Sequence, residues 1–255
     1  MENNNYEKER SLFYENFSKF TKIEDELVTL PIIKALEEKL VNLNDKSWLD
    51  YGCGNWFTTN IVHKKWAFLL WVDNSIDQIE KAKKRESEWI KFIHIQNNDI
   101  PFIEDGSLDF CYFRFSTCEM SDEIINCVMR NVNKKLKNGG IIVIWDQNRE
   151  SCLGRETMSV CYSPYKKHLK EWEYTTTMLK RYGVKFIWNE ERLIENIDFI
   201  PIPDCFRSKK YIKSILEKNG FLNIEFNEIK LDKDNPIECM DEKIVPMYKI
   251  TIARK

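Results

Sequence analysis

Glycine is scarce in this chain: eight residues in 255. Each one is therefore worth locating, because glycine is where a backbone takes a positive φ or lets another group approach closely. Histidine is scarcer still, limited to His63, His94 and His168. The eight cysteines (Cys53, Cys111, Cys118, Cys127, Cys152, Cys161, Cys205 and Cys239) include no C-x-x-C pair. That combination argues against a zinc site, so no metal is expected, and the cysteines read as reduced thiols. A surplus of basic charge is also missing: the net charge is −2. Proteins that live by neutralising phosphates carry such a surplus, so a nucleic-acid substrate is not expected. No run approaches the roughly 18 apolar residues of a membrane span, and the polar start Met1–Lys8 lacks the apolar core of a secretory signal. These absences together point to a cytoplasmic protein with no membrane partner.

What is present is an alternation of strands and helices. Leu12, Phe13, Phe17 and Phe20 recur at helical spacing, and Pro31 opens a second helix with Ile32, Ile33, Leu36, Leu40 and Val41 on one face. Residues 1–46 then form an N-terminal helical cap segment. The stretch Ser47–Asp50 reads as a short strand, Ala67–Val72 as a strand buried on both faces, Phe92–Ile95 as a third, Leu108–Phe113 as a fourth and Ile141–Trp145 as a fifth. Between them, Ser75 with Gln78 forms a capping-box pattern before a helix over 76–85, and a helix over 122–137 stops at Asn138-Gly139-Gly140. Strands alternating with helices imply right-handed βαβ units, hence an α/β fold with a mostly parallel sheet and helices on both faces. Residues 47–150 form this core. Residues 151–205 break the rhythm and read as a small inserted cap, with two antiparallel strands over 172–179 and 184–189. A helix over 209–218, stopped by Asn219-Gly220, and strands over 221–227 and 247–253 complete the core within residues 206–255, giving seven strands in all. The insertion follows the fifth strand, which places it over the carboxyl edge of the sheet, where open α/β sheets bind ligands.

The first strand ends in Asp50-Tyr51-Gly52-Cys53-Gly54. A strand, a glycine turn and a helix make a nucleoside-binding device: one glycine permits the sharp turn, the next lets backbone approach the ligand. Asp73 closes the second strand 73 − 52 = 21 residues beyond Gly52. A carboxylate there can accept both hydroxyls of a ribose. The competing reading is an ordinary βα turn with Asp73 capping a helix.

The stretch Trp48–Gly54 resembles motif I of the class I S-adenosylmethionine-dependent methyltransferases, with its D-x-G-x-G pattern. Ile100-Pro101-Phe102-Ile103-Glu104-Asp105-Gly106-Ser107-Leu108-Asp109 resembles the family's passage before the fourth strand, Leu136-Lys137-Asn138-Gly139-Gly140-Ile141 the passage before the fifth, and Lys209–Phe221 the late passage ending in glycine and phenylalanine. The four occur in order across residues 47–227. The resemblance implies a Rossmann-like fold and S-adenosyl-L-methionine as cofactor. Asp50, Tyr51, Gly52, Cys53 and Gly54 would hold its methionine part, and Asp73 with Asn74 its ribose. Family members present an acid to adenine after the third strand. Counting back from Pro101 puts Gln96 there; a shorter loop puts Asp99 there, flanked by Asn98 and Ile100, and that is the expectation adopted. Phe115 would line the cofactor. The chain departs from the pattern at Trp56, which stands where the motif has its third glycine.

Methyl transfer from a sulfonium is an in-line displacement, so the protein must align a nucleophile and exclude water, and a general base is optional. Three residues are candidates for acceptor chemistry: Arg114 as a carboxylate-binding group, Glu119 as a base, and His168 as an imidazole base in the inserted cap. Their competing roles are a surface cation, a helix-starting acid and an exposed histidine beside Lys166 and Lys167. The inserted cap suits a closed pocket, so the expected partner is a small-molecule acceptor methylated at oxygen or nitrogen. An RNA or protein methyltransferase is the first alternative, and a non-catalytic S-adenosylmethionine-binding protein of the same fold the second.

Overall fold

The computed structural model describes residues 46–54, 68–84, 86–87, 90–148, 207–230, 233–234, 246 and 248–255. The strands are β1 Ser47–Tyr51, β2 Phe68–Asp73, β3 Ile90–His94, β4 Leu108–Arg114, β5 Leu136–Gln147, β6 Leu222–Ile229 and β7 Tyr248–Arg254. They form one seven-stranded sheet in the order β3-β2-β1-β4-β5-β7-β6. The first five run parallel, and β7 is antiparallel to both β5 and β6. The described helices are α1 Ile76–Lys83, α2 Asp122–Lys135 and α3 Lys209–Lys218.

The strand order reverses direction between β1 and β4. Chain progress runs outward through β2 and β3 on one side and through β4 and β5 on the other. Right-handed crossovers then place α1 and α2 on opposite faces. Side-chain alternation agrees. Leu49, Tyr51, Cys111, Phe113, Ile142 and Ile144 point to one face, where they pack with Val128, Val132, Ile212 and Leu216 of α2 and α3. The other face carries Trp48, Trp71, Phe92, Phe110 and Trp145, all buried. Trp48 stacks on Phe110 with ring centroids 4.5 Å apart. Fully buried side chains of this size each stabilise the fold by about 1.5–3 kcal/mol, which makes these two faces the main support of the sheet.

Local signals explain the helix ends. Ser121 accepts the Ile124 N–H at 3.2 Å and Ser208 accepts the Tyr211 N–H at 3.1 Å, so α2 and α3 are capped by serine side chains. Gly220 ends α3 with φ +85°, as its sequence suggested. Two expectations need correction. Ser75 precedes α1 but its side chain makes no cap bond, and the amide of Gln78 is buried without a hydrogen-bond partner. The capping box is not formed, because Asp73 takes the Ser75 N–H instead, at 2.8 Å. Helix α2 also stops two residues early, at Lys135. Leu136 turns out of it (φ −68°, ψ 142°) to pair with Leu108, so Asn138, Gly139 and Gly140 lie within β5. Gly140 is required there: a Cβ would meet the Lys137 carbonyl oxygen at 2.8 Å. The N-terminal cap segment, the helix after the glycine turn with Trp56, and the inserted cap lie outside the described residues. No described helix is long and apolar enough to cross a membrane.

Candidate active site

The glycine turn sits where the strand order reverses, at the carboxyl ends of β1 and β4, the position at which open α/β sheets bind ligands. Gly52 and Cys53 both donate to the Val72 carbonyl, at 2.8 and 3.1 Å, which folds the turn back onto β2. Gly52 has φ +76°, and a Cβ on it would lie 2.5 Å from the Ser116 Cβ. Close approach of the segment after β4 therefore demands glycine at 52. Gly54 has φ +58°, and among the described residues nothing stands within 4 Å of where its Cβ would be. Its backbone is open to an approaching ligand. The residues around it are buried polar ones. Asp50 is enclosed at the end of β1. Burial, together with the Asp73 and Asp50 carboxylates, pushes the Cys53 thiol well up, so it stays neutral. Tyr51 stacks on Phe113 and donates its hydroxyl to the Asn98 carbonyl at 3.0 Å. Burial first, then neighbouring groups including Cys111, pushes that phenol far above its usual range. The Tyr51 ring thus belongs to the core and ties the glycine turn to the loop after β3.

Asp73 ends β2 and is almost fully enclosed. Its Oδ2 accepts the Gly54 N–H at 2.8 Å and its Oδ1 accepts the Ser75 N–H at 2.8 Å. The carboxylate clips the glycine turn to the start of α1. Each oxygen keeps a second lone pair, so the same carboxylate can still accept the hydroxyls of a ribose. Asn74 beside it is exposed, and its carbonyl lies 3.1 Å from the His94 Nε2.

The loop after β3 runs through Asn97 and Asn98, both with positive φ (53° and 58°). Asp99 is exposed; its Oδ1 accepts its neighbour's Ile100 N–H at 2.8 Å and the Asn131 side-chain amide of α2 at 3.4 Å. Ile100 is fully buried in the core. The sequence candidates for the adenine side thus sit on one loop that is joined to the glycine turn through Tyr51.

After β4 the chain makes a tight turn. Phe115 takes φ +48°, a left-handed conformation that costs a bulky side chain energy, and its N–H donates to the Trp145 carbonyl at 2.9 Å. Ser116 donates its hydroxyl to the Tyr51 carbonyl at 2.9 Å. A short 3-10 helix, Thr117–Glu119, follows. Arg114 lays its guanidinium over the rings of Phe115 and Trp145, 5.5 and 5.0 Å from their centroids. Tyr248 packs edge-on to both rings. Glu119 is half-buried at the end of the 3-10 helix. The structure therefore brings Arg114, Phe115 and Glu119 together beside the glycine turn. His168 lies outside the described residues. Among those residues, no three of His, Cys, Asp and Glu gather into a metal-binding group.

Sequence reading missed a set of buried charges behind this turn. Asp146, near the end of β5, is buried and accepts the Thr117 hydroxyl on Oδ2 at 2.5 Å; its Oδ1 has no hydrogen-bond partner among the described residues. Burial pushes its carboxyl up, against the opposing pull of Lys249, Thr117 and Arg207. Lys249 is Asp146's register partner across β5 and β7, and its Nζ donates to the Arg207 carbonyl at 2.9 Å. Arg207, also buried, donates to the Thr117 carbonyl at 2.9 Å, the Met120 carbonyl at 2.6 Å and the Asp122 carboxylate at 3.0 Å. A charge at the end of an apolar strand was the available signal: Trp145-Asp146 and Tyr248-Lys249 interrupt otherwise apolar runs.

The sequence matches a family model, "Methyltransferase domain", over residues 24–225. The chain belongs to this methyltransferase family. The methyltransferase is similar in fold to several solved structures. An S-adenosylmethionine-dependent methyltransferase from Mesorhizobium loti superimposes with a TM-score of 0.62 at 18% identity, over 87% of this chain and 96% of that one. A Thermotoga maritima protein described as a possible histamine N-methyltransferase gives 0.62 at 17% identity, over 96% and 97%. Phosphoethanolamine N-methyltransferase 2 from Haemonchus contortus, in complex with S-adenosyl-L-methionine, gives 0.55 at 14% identity, over 88% of this chain and 51% of that one. A comparison with curated proteins returns no match.

S-adenosyl-L-methionine is the cofactor of this methyltransferase, and the residues present fit it. Among the described residues nothing crowds a Cβ position at Gly54, Gly52 admits the sharp turn, and the Asp73 carboxylate stands at the adjoining strand end. A nucleoside with a charged amino-acid tail needs such a site: open backbone for the tail and a carboxylate for the sugar.

Proposed function

We propose that this methyltransferase moves the methyl group to nitrogen or oxygen of a small molecule. The pair of half-buried side chains Phe115 and Arg114, packed on the fully buried Trp145 and Tyr248, carries this reading. It lies at the carboxyl ends of β4 and β5, beside the glycine turn. A partly exposed aromatic ring beside a fixed cation suits a small organic acceptor, and a net charge of −2 gives no general attraction for a polyanion. The 151–205 segment, inserted directly after β5, has the length to cover such a pocket. Two of the solved structures similar in fold bear the names of enzymes acting on small amines.

The bound cofactor supplies a methyl group already activated on a sulfonium. The chain's own residues supply placement. Gly52, Gly54 and Asp73 fix the cofactor's tail and ribose, with Asp50, Cys53 and Asn74 around them, and Asn98, Asp99 and Ile100 border the adenine side. Phe115 lines the boundary between cofactor and acceptor. Arg114 holds an anionic or π-rich part of the acceptor, and Glu119 takes the acceptor's proton where it enters protonated. His168, in the inserted segment, is the second candidate base.

The test uses methyl-labelled S-adenosylmethionine with a cell extract separated into small molecules, protein and RNA. Label entering the small-molecule fraction, and lost with the Asp73→Ala variant, is the expected result. Label in protein or RNA would transfer the assignment to those acceptors. S-adenosylhomocysteine binding with no label in any fraction would indicate a non-catalytic binding protein.

A further inference from the structure

The turn after β4 is held from two sides. In front, the Ser116 hydroxyl donates to the Tyr51 carbonyl, and the Ser116 Cβ occupies the space a side chain at position 52 would need. Behind, Arg207 binds the carbonyls of Thr117 and Met120, at the two ends of the same short segment. The Arg207 guanidinium is itself fixed by Asp122 at the start of α2, and Tyr211 of α3 donates to that same carboxylate. The Arg207 carbonyl accepts from the buried Lys249. Thr117 completes the clamp through Asp146.

This arrangement goes beyond what the sheet needs. Arg207 is 3% exposed although it carries a permanent charge. Burying a guanidinium is costly unless its donors are satisfied in good geometry. Here they are divided between two backbone carbonyls of the six-residue turn Phe115–Met120 and the Asp122 carboxylate. The same turn contains Phe115 at φ +48°, a conformation that persists only where the surroundings over-determine it.

We propose that Arg207 is a positioning residue for the cofactor site: it sets the turn Phe115–Met120, and through Ser116 it sets the glycine turn at Gly52. Moving the Arg207 anchor shifts the position of Ser116 and so changes how well the glycine turn receives its ligand. This inference rests on the cofactor site described above, but the clamp itself can be tested without any ligand.

Two measurements are made on the full-length protein, with S-adenosylhomocysteine as the probe. The first is hydrogen exchange of the Phe115, Glu119 and Met120 amides without ligand. In Arg207→Lys these exchange faster, because a compact ammonium cannot span the acceptors that the guanidinium reaches from three separate nitrogens, while the amides pairing β6 with β7 keep their protection. The second is a double-mutant cycle in probe affinity between Arg207→Lys and Ser116→Ala. Each single change weakens binding by between about twofold and thirtyfold, and the double variant is no weaker than the worse single one, because both cut the same chain of contacts. Arg207→Lys with unchanged exchange at 115–120 overturns the clamp. Losses that simply multiply in the double variant overturn its link to the glycine turn. Should Arg207→Lys fail to fold, Ser116→Ala and Asp146→Ala loosen the same turn from other sides, and unchanged exchange at 115–120 in both overturns the proposal. Absence of probe binding in the unmodified protein overturns the cofactor site and, with it, the link, whereas the exchange result alone decides the clamp.

Discussion

Replacing Gly52 by alanine is the sharpest perturbation of the site. Two costs arise, and both can be read from the structure. The residue sits at φ +76°, where an L side chain costs about 1–2 kcal/mol. The new Cβ would also lie 2.5 Å from the Ser116 Cβ, so the turn after β4 must move. Forcing an extra carbon into a packed site costs about 1–3 kcal/mol. Together Gly52→Ala should lose about 2–5 kcal/mol, a large share of the roughly 5–15 kcal/mol typical of a folded domain. In a chain of this size that corresponds to a fall in Tm of about 4–20 °C. Urea unfolding followed by tryptophan fluorescence reads the loss, since Trp48, Trp71 and Trp145 are all buried. The two costs separate in the double variant: Ser116→Gly removes the clash but leaves the backbone strain, so it should return part of the loss of Gly52→Ala. Gly54→Ala is the contrast. It has the strain (φ +58°) without the clash, so it should lose only about 1–2 kcal/mol of stability. Its Cβ enters the space left for the ligand, so S-adenosylhomocysteine affinity should fall further than stability does. A Gly52→Ala protein that loses less than about 1 kcal/mol, or a Gly54→Ala protein that binds normally, would refute this account of the turn.

Other consequences are as definite. Asp73→Ala leaves the Gly54 and Ser75 N–H groups without their acceptor, and should cost about 2–4 kcal/mol of stability together with at least tenfold in S-adenosylhomocysteine affinity. Leu216→Ala, in the core between α3 and the sheet, should cost about 2–5 kcal/mol in urea titrations while the folded protein keeps its probe affinity. Asp146 gives a pH signature. Burial raises its carboxyl above the ordinary 3.8, so the folded chain holds that proton to higher pH than the unfolded chain, and this group adds stability as pH falls towards 3.8. Asp109 and Glu228 act in the opposite sense. For Asp109, burial is outweighed by hydrogen bonds from Lys137 and Ser47; for Glu228, the bond from Lys209 leads; both lose their contribution on acidification. Asp146→Asn removes this opposing contribution, so that variant should lose stability more steeply than the unmodified protein as pH falls towards 4, as measured by denaturant midpoints.

Much of the site was legible because its chemistry is local in sequence. A short strand, Gly52 and Gly54, an apolar strand and a terminal Asp73 need no knowledge of tertiary contacts. The same holds for the stop of α3 at Gly220. The start of α1 was misread because two acceptors compete there: the Asp73 carboxylate takes the Ser75 N–H and leaves Gln78 out of the cap. The glycines before the fifth strand were read as a helix stop, but Leu136 already pairs with Leu108, a contact 28 residues away that no local pattern reveals. The clamp was invisible for the same reason. Thr117, Asp146, Arg207 and Lys249 come from four separate stretches of the chain, and each alone looks like an ordinary polar residue. Only the fold brings them behind the turn that Ser116 presses against Gly52.

The central claim is that the turn Asp50–Gly54, clipped by Asp73, holds the cofactor. Calorimetric titration of S-adenosylhomocysteine into the unmodified protein and into Asp73→Ala tests it most directly. The account predicts saturable one-site binding, at about micromolar Kd, with an affinity at least tenfold weaker in the variant. No binding by the unmodified protein at about millimolar ligand, or equal affinity in the two proteins, would contradict it.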